Sequence, residues 1–78
     1  MNTYEYNGKL YNLSKFAYFE KGDDSIGELA QEHGLTEKPY SIKCHTSFNR
    51  KNDQIIYFEY RRASVRDFIY SEVIKKGK

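Results

Sequence analysis

The sequence predicts an α+β fold in a single domain over residues 1–78, with elements in the order ββααββα. Three observations predict it. An Asn-Gly pair lies between alternating aromatic and polar residues near the N-terminus. Apolar residues recur at helical spacing in residues 25–33 and 64–76, while residues 40–48 and 54–61 follow a period of two. A chain of 78 residues has room for one small core and no second domain.

The N-terminal segment predicts a β-hairpin over residues 4–11. Asn7 and Gly8 both tolerate the positive φ values that a two-residue hairpin turn requires. Residues 12–20 are predicted as a short helix ending at Gly22, because three apolar residues share one helical face and an asparagine precedes them as a cap. The aromatic residues of this segment also alternate as they would in a strand.

A second helix is predicted over residues 25–33. Asp23 and Asp24 precede it, where acidic side chains cap the first N–H groups and complement the positive end of the helix dipole. Gly34 follows, in the position of the left-handed residue that often ends a helix. Pro39 then prevents any continuation.

The C-terminal half predicts a second hairpin followed by a helix. Residues 40–48 and 54–61 are the strands, joined by a polar loop. Ser64 begins a helix over residues 64–76, and Asp67 completes a capping box with it. Lysines near the end of this helix stabilise the negative end of its dipole.

Charge is divided unequally along the chain. Residues 1–37 carry a net charge of −4 and residues 38–78 a net charge of +6, giving the +2 of the whole chain. Such a field attracts nucleic acid or a charged protein surface. The chain also has eight tyrosines, whose rigid rings with polar tips suit surfaces that are wet when free and buried when bound.

The basic half contains the main candidate contact surface, because residues 57–62 interleave rings with guanidinium groups. Cations of this kind contact phosphates or carboxylates while rings stack on bases. The candidate residues for binding a partner or nucleic acid are Arg50, Lys51, Tyr57, Tyr60, Arg61, Arg62 and Arg66. A second candidate surface, suited to a basic partner, consists of Asp23, Asp24, Glu28 and Glu32.

The sequence contains no catalytic, metal-binding or cofactor-binding motif. Cys44 and His45 are neighbours on a predicted strand, so their side chains point to opposite faces and cannot form a nucleophile and base pair. One cysteine and two histidines without paired spacing do not make a zinc motif. One enzymatic alternative is a metal-free ribonuclease, with His45, Arg61, Arg62 and a tyrosine supplying acid–base and phosphate contacts.

Residues 25–36 resemble the first half of a helix-turn-helix motif. Ala30 occupies the position of the small residue, Gly34 the turn, and Leu35 the apolar position after it. The sequence departs from the motif at Lys43, where the second, recognition helix needs an apolar residue. The resemblance implies a regulator that binds DNA or RNA directly, which we keep as an alternative function.

In general character the chain is similar to small proteins encoded by phages and mobile elements. The similarity lies in a tiny Tyr- and Asn-rich chain that opens with Thr3-Tyr4-Glu5-Tyr6-Asn7-Gly8-Lys9. That group includes inhibitors of host defence such as anti-CRISPR proteins. The resemblance implies a binding role, and it assigns no individual residue.

We therefore expect a non-enzymatic accessory or inhibitor protein that docks on a nucleic-acid-handling protein or complex. It needs no cofactor, and no small-molecule substrate is evident. The single cysteine favours a reducing compartment, and the opening residues lack the order of a signal peptide. We expect it in the cytoplasm, the host cytosol if a phage encodes it, without membrane contact.

Overall fold

A computed structural model describes residues 2–77; Met1 and Lys78 lie outside this range. The elements are β1 (Thr3–Tyr6), β2 (Lys9–Asn12), a 3₁₀ turn (Leu13–Lys15), β3 (Tyr18–Lys21), α1 (Asp24–Glu32), β4 (Tyr40–His45), β5 (Ile55–Tyr60) and α2 (Ala63–Gly77). Strands β1 and β2 form a hairpin, and β3, β4 and β5 form an antiparallel sheet in that order. The α+β class is confirmed, but the order of elements differs from the predicted one because a strand replaces the first helix.

The N-terminal hairpin is confirmed and turns where the sequence predicts. Asn7 and Gly8 have φ values of 51° and 78°, which is the backbone that a type I′ turn requires. The hairpin packs through tyrosine rings on Phe58, with the Tyr4 and Tyr6 ring centroids 5.4 and 4.9 Å from that of Phe58. It therefore covers one side of the three-stranded sheet.

The predicted helix over residues 12–20 is wrong. Only one 3₁₀ turn forms, begun by the side chain of Asn12, and the chain then runs as β3 antiparallel to β4. As a strand, β3 places Phe19 opposite Cys44 in the core. Pairing with β4 supplies ladder hydrogen bonds and burial, which outweigh the weak helical spacing of this segment.

The two sides of the sheet have different surroundings. Ile42, Cys44 and Phe58 are fully buried on one side, beneath the hairpin and α2. We call the other side the open face. Because side chains alternate along a strand, the registers place these residues on the open face: Tyr18, Glu20, Ser41, Lys43, His45, Ile55, Tyr57 and Glu59.

Helix α1 is confirmed, with Asp23 as its cap, but none of its residues is buried. It approaches β4 closely because Gly27 has no side chain; a Cβ there would collide with the carbonyl oxygen of Pro39. After α1 the chain enters β4 rather than a second helix, and Lys43 lies within that strand. The helix-turn-helix expected over residues 25–36 is therefore not formed.

Helix α2 begins at Ala63, one residue before the predicted cap Ser64. Asp67 accepts one hydrogen bond from Arg66 Nε and contacts Lys21, so ion pairs replace the predicted capping box. Val73 is buried and anchors the helix. Neither α1 nor α2, as described within residues 2–77, combines the length and apolar character needed to cross a bilayer.

Candidate functional site

The predicted basic and aromatic surface is not brought together in one place. Arg50 and Lys51 lie in the loop between β4 and β5, whereas Arg61 and Arg62 follow the other end of β5. The six residues of β5 separate these two pairs by about 20 Å at roughly 3.3 Å per residue. The four cations therefore bracket the strand rather than form a single patch.

Arg66, predicted as a contact residue, is buried, with only 2% of its surface exposed. Its guanidinium donates to Asp24 Oδ2 at 2.8 Å, to Asp67 Oδ1 at 2.7 Å and to the carbonyl of Ser41 at 3.1 Å. The hydrogen bond to Asp24, aided by that to Asp67, raises the pKa of Arg66 above its usual range. Arg66 thus ties α2 to α1 and β4, and it does not reach a partner.

Of the two tyrosines predicted to bind a partner, Tyr57 and Tyr60, only Tyr57 is exposed on the surface. It lies on the open face of β5 and is 49% exposed. Tyr60 points to the core side, where its hydroxyl shares a hydrogen bond of 2.9 Å with the hydroxyl of Tyr4. Burial, followed by this hydrogen bond, raises the pKa of Tyr60 well above its usual range. Tyr60 therefore belongs to the packing between hairpin and sheet.

The predicted acidic surface is largely engaged within the molecule. Asp23 accepts the N–H groups of Ser25 and Ile26 at the start of α1. The hydrogen bond that the Ser25 hydroxyl donates to Asp23 is the largest cause of the lowered pKa of Asp23. The hydroxyl of Tyr40 donates to Glu28 at 2.7 Å. Asp24 pairs with Arg66 as described above. Glu32 is exposed at the end of α1.

Ion pairs also join the acidic half of the chain to the basic half. Arg61 contacts Glu37 at 3.1 Å, and Lys21 contacts Asp67 at 3.1 Å. The buried pair of Arg66 and Asp24 is a third such contact. Folding therefore pairs some of the charges that the sequence separates.

The ribonuclease arrangement predicted from His45, Arg61 and Arg62 is not formed. His45 lies at one end of the β4–β5 pair and the two arginines at the other. The imidazole is only 5% exposed, and both of its nitrogens are occupied. Nδ1 lies 2.6 Å from Asp53 Oδ2, and Nε2 lies 2.7 Å from Glu20 Oε1.

His45 instead ties the open face to the loop that follows β4. Burial of the ring disfavours its charged form, but hydrogen bonds to Asp53 and Glu20 outweigh this effect and raise the pKa of His45. The hydrogen bond from His45 is the largest cause of the lowered pKa of Asp53. The other oxygen of Asp53 accepts the N–H groups of Thr46 and Ser47, at 2.9 and 3.2 Å.

Cys44, next to His45, points to the core and is fully buried. Burial raises the pKa of its thiol to about 12. The thiolate is the nucleophilic form of cysteine, so a thiol held neutral in the core has a packing role.

The loop after β4 builds a stack of three rings on the open face. The Tyr18 ring lies 4.1 Å from the His45 ring at an interplanar angle of 5°, and the Phe48 ring lies 5.3 Å from that of Tyr18 at 15°. Phe48 ends the stack with 79% of its surface exposed. The sequence predicts a strand that continues to residue 48, but β4 ends at His45. The Asp53 carboxylate binds the backbone N–H groups after His45, and the chain turns there instead.

Other exposed apolar residues share the open face with the stack. The registers place Tyr18, His45 and Ile55 in one row, and Glu20, Lys43 and Tyr57 in the next. A cavity of about 200 Å³ between α1 and the sheet brings Ile26 beside Lys43 and Tyr57. We call the exposed apolar members of this surface the open-face patch: Tyr18, Ile26, Phe48, Ile55 and Tyr57.

Comparison with known proteins gives no match: no family model, curated protein or solved structure is similar to this chain. Function is therefore inferred from the residues and their geometry alone.

A second concavity, of about 440 Å³, lies between the hairpin turn and the C-terminal end of β5. Lys38, Arg61 and Arg62 line it together with Glu5 and Glu59, so its charges are mixed. No histidine, cysteine or serine lines it. Within residues 2–77, no three His, Cys, Asp or Glu side chains are arranged to hold a metal ion. The open-face patch is the stronger candidate, and its rings and aliphatic groups suit contact rather than chemistry.

Proposed function

We propose that this chain is a non-enzymatic binding protein that docks on a protein partner through the open-face patch. The observation that carries the proposal is the exposure of large apolar side chains on one side of a small sheet. Phe48 and Ile26 are 79% and 67% exposed there. Exposed apolar side chains grouped on one face mark interaction sites, since burial of apolar area stabilises a complex by roughly 25 cal/mol per Å².

The cations around the patch favour a partner with negative charge. Lys43 lies within the open face, and Arg50 and Lys51 lie in the loop that carries Phe48. Charges at the rim of an apolar patch guide association and orientation more than they add affinity. An apolar patch with cations around it suits a protein or complex that handles nucleic acid. The resemblance to phage accessory proteins implies that this chain binds and inhibits such a partner.

Capture experiments with matched variants test the proposal. The double variant Phe48→Ser/Tyr57→Ser removes the two most prominent rings of the patch, and Leu10→Ser/Phe68→Ser removes exposed apolar residues elsewhere, 65% and 64% exposed. We expect the wild-type and control chains to retain a protein partner after nuclease treatment. The patch variant, shown by circular dichroism to be folded, should retain at least about tenfold less of this partner. Equal retention by both double variants would contradict the proposal.

Direct nucleic-acid binding is a second candidate, favoured by the exposed rings of Tyr18 and Phe48 beside Arg50 and Lys51. Such a platform binds single strands by stacking and phosphate contacts without a recognition helix. It predicts a gel shift by the isolated chain whose affinity falls steeply with salt. A chain that binds neither DNA nor RNA at low salt removes this candidate.

A further inference from the structure

The hydrogen-bonding pattern of β5 leaves one side of its backbone unpaired by strands. The N–H of Thr46 donates to the carbonyl of Gln54. In an antiparallel ladder the backbone groups alternate in direction. The N–H and carbonyl groups of the even-numbered residues of β5 therefore point toward β4, and those of the odd-numbered residues point away from it. Glu59 agrees, because its N–H bonds to the hydroxyl of Tyr6, outside the sheet, at 2.9 Å.

The outward positions differ in how they are covered. The Tyr6 hydroxyl contacts both the N–H of Glu59 and, at 3.4 Å, its carbonyl oxygen. For Ile55 and Tyr57, no group within residues 2–77 bonds to the outward N–H or carbonyl. At the opposite edge of the sheet, the Tyr70 hydroxyl on α2 contacts the carbonyl of Phe19 at 3.5 Å. We call the first part of β5, from Ile55 to Tyr57, the free edge.

The side chains at this edge suit an added strand. Ile55 and Tyr57 are 37% and 49% exposed on the open face, beside the free backbone groups. A strand laid along β5 would gain main-chain hydrogen bonds from the edge and contacts of alternate side chains with these two residues. Unprotected edges of this kind are where sheets accept a strand from another chain.

Charged residues near the two ends of the free edge of β5 indicate which residues an added strand should carry. Arg50 and Lys51 lie beyond one end of β5, and Arg61 and Arg62 beyond the other. Lys43 is the cross-strand neighbour of Tyr57. At the first end, the carboxylate of Asp53 is paired with His45, which leaves Arg50 and Lys51 in excess. At the other end, Arg61 is paired with Glu37, and the exposed Glu5 and Glu59 lie beside Arg61 and Arg62. The balance is therefore positive at the Arg50 and Lys51 end and mixed at the other.

We propose that the free edge of β5 binds an extended segment of a partner protein as an added strand. The segment has β-branched residues at its centre and acidic residues at the end that meets Arg50 and Lys51; the probe below carries acidic residues at both ends so that either strand direction is served. The proposal rests on the proposed function and specifies which part of the partner meets the open-face patch. A nucleic acid has no peptide backbone to continue the ladder, so the proposal commits to a protein segment.

A synthetic peptide provides the first test. The probe is an acetylated, amidated peptide with the sequence DEVTVTED, and its control is KKVTVTKK. Amide exchange is measured by NMR on the intact chain. We expect saturation with the acidic peptide to slow exchange at Ile55 and Tyr57 at least about tenfold, with little change at Ile56 and Phe58, whose N–H groups already face β4. Unchanged exchange at Ile55 and Tyr57, or equal protection by the basic peptide or by an oligothymidine, would overturn the proposal.

Substitutions at Tyr57 separate the backbone from the ring. Tyr57→Ala removes the ring and keeps the outward N–H. Tyr57→Pro removes both, and it spares the β4 ladder because that N–H faces away from β4. We expect the proline variant to bind the acidic peptide at least about tenfold more weakly than the alanine variant. Equal binding by the two variants would overturn strand addition.

Tyr6→Phe gives an independent readout if the proline variant does not fold. Loss of the Tyr6 hydroxyl frees the N–H of Glu59, so its exchange should accelerate and the acidic peptide should then protect it as well. No peptide protection at Glu59 in this variant would contradict the proposal.

The two proposals fail separately. Partner capture that depends on Phe48 and Tyr57, with no difference between Tyr57→Ala and Tyr57→Pro, would leave the binding function standing and remove strand addition. If the peptide protects the Tyr57 amide but the chain captures no partner, strand addition at the β5 edge would stand and the proposed function would be contradicted.

Discussion

Two buried cations show how single residues hold this small fold together. His45 binds carboxylates from β3 and from the loop after β4, and Arg66 binds carboxylates on α1 and α2. In both cases a cation removed from water is matched by hydrogen bonds to opposite charges, which is the condition under which burial of charge is tolerated. Neither role can be predicted locally, because the partners come from distant parts of the chain.

The raised pKa of His45 makes stability depend on pH. A group whose pKa is higher in the folded state stabilises the fold fully below its unfolded value, ordinarily 6.5, and this contribution is lost as pH rises through the folded pKa. The lowered pKa of Asp53 acts oppositely, since its contribution is present above its ordinary 3.8 and lost as pH falls through the folded pKa. The network is therefore fully effective between these two ordinary values.

We predict that the free energy of unfolding falls between about pH 5.5 and about pH 8.5 in the wild-type chain. His45→Gln should lower stability at the acidic end and remove most of this fall, because glutamine does not titrate. Urea denaturation at both pH values measures it. An equally steep decline in the glutamine variant would assign the pH dependence to another group.

Arg66 and Arg61 form a matched pair for testing burial. The Arg66 side chain is 3% exposed and the Arg61 side chain 67% exposed, and each contacts a glutamate or aspartate. We predict that Arg66→Ala lowers the free energy of unfolding by about 3 kcal/mol, near the low end for a broken buried pair because its partners are half exposed. Arg61→Ala should cost under about 1 kcal/mol. Equal losses in denaturant titrations would contradict the assigned roles.

At the scale of elements, helix α1 attaches to the sheet without burying any of its own residues. Its approach to β4 depends on Gly27 beside Pro39. Its start depends on the Asp23 cap, a local feature that the sequence predicts well. Its docking depends on a close backbone contact, which a glycine in a helical pattern only hints at.

Glycine substitutions in and after α1 separate these two effects. We predict that Gly27→Ala costs about 2–3 kcal/mol and speeds amide exchange across α1, because the new Cβ overlaps the Pro39 carbonyl. Gly34→Ala should cost only about 1 kcal/mol, since φ is 71° there but the space is open. Denaturant titration with hydrogen exchange measures both effects. A smaller loss for Gly27→Ala than for Gly34→Ala would contradict the packing described.

The elements predicted correctly have strong local signals. The Asn7-Gly8 turn, the capped helix α1 and the alternating strands β4 and β5 all follow from short windows of sequence. Strand β3 does not, because its four residues become a strand only by pairing with β4, more than twenty positions away. The predicted extension of the strand to residue 48 is wrong for a related reason. The Asp53 carboxylate binds the backbone after His45, the chain turns there, and Phe48 lies on the open face.

At the scale of the whole molecule, the contact surface is built from pieces that the sequence separates. Tyr18, Phe48 and Tyr57 come from β3, a loop and β5. Tyr18 and Phe48 stack on each other, and the register of the sheet places Tyr57 on the same face in the next row. The interleaving of rings and basic residues predicted these contact residues from the sequence: Arg50, Lys51, Tyr57, Arg61 and Arg62. Their arrangement around one strand edge, with Arg66 and Tyr60 withdrawn into the fold, depends on the topology.

Site-specific photo-crosslinking tests the open-face patch as the contact surface most directly. A benzophenone amino acid replaces Tyr57 in one chain, Phe48 in a second, and Leu10 or Glu32, which lie outside the patch, in controls. After irradiation in nuclease-treated lysate, we expect one protein adduct shared by positions 57 and 48 and none of this adduct from positions 10 and 32. Adducts from the control positions alone, or equal labelling from all four, would contradict it.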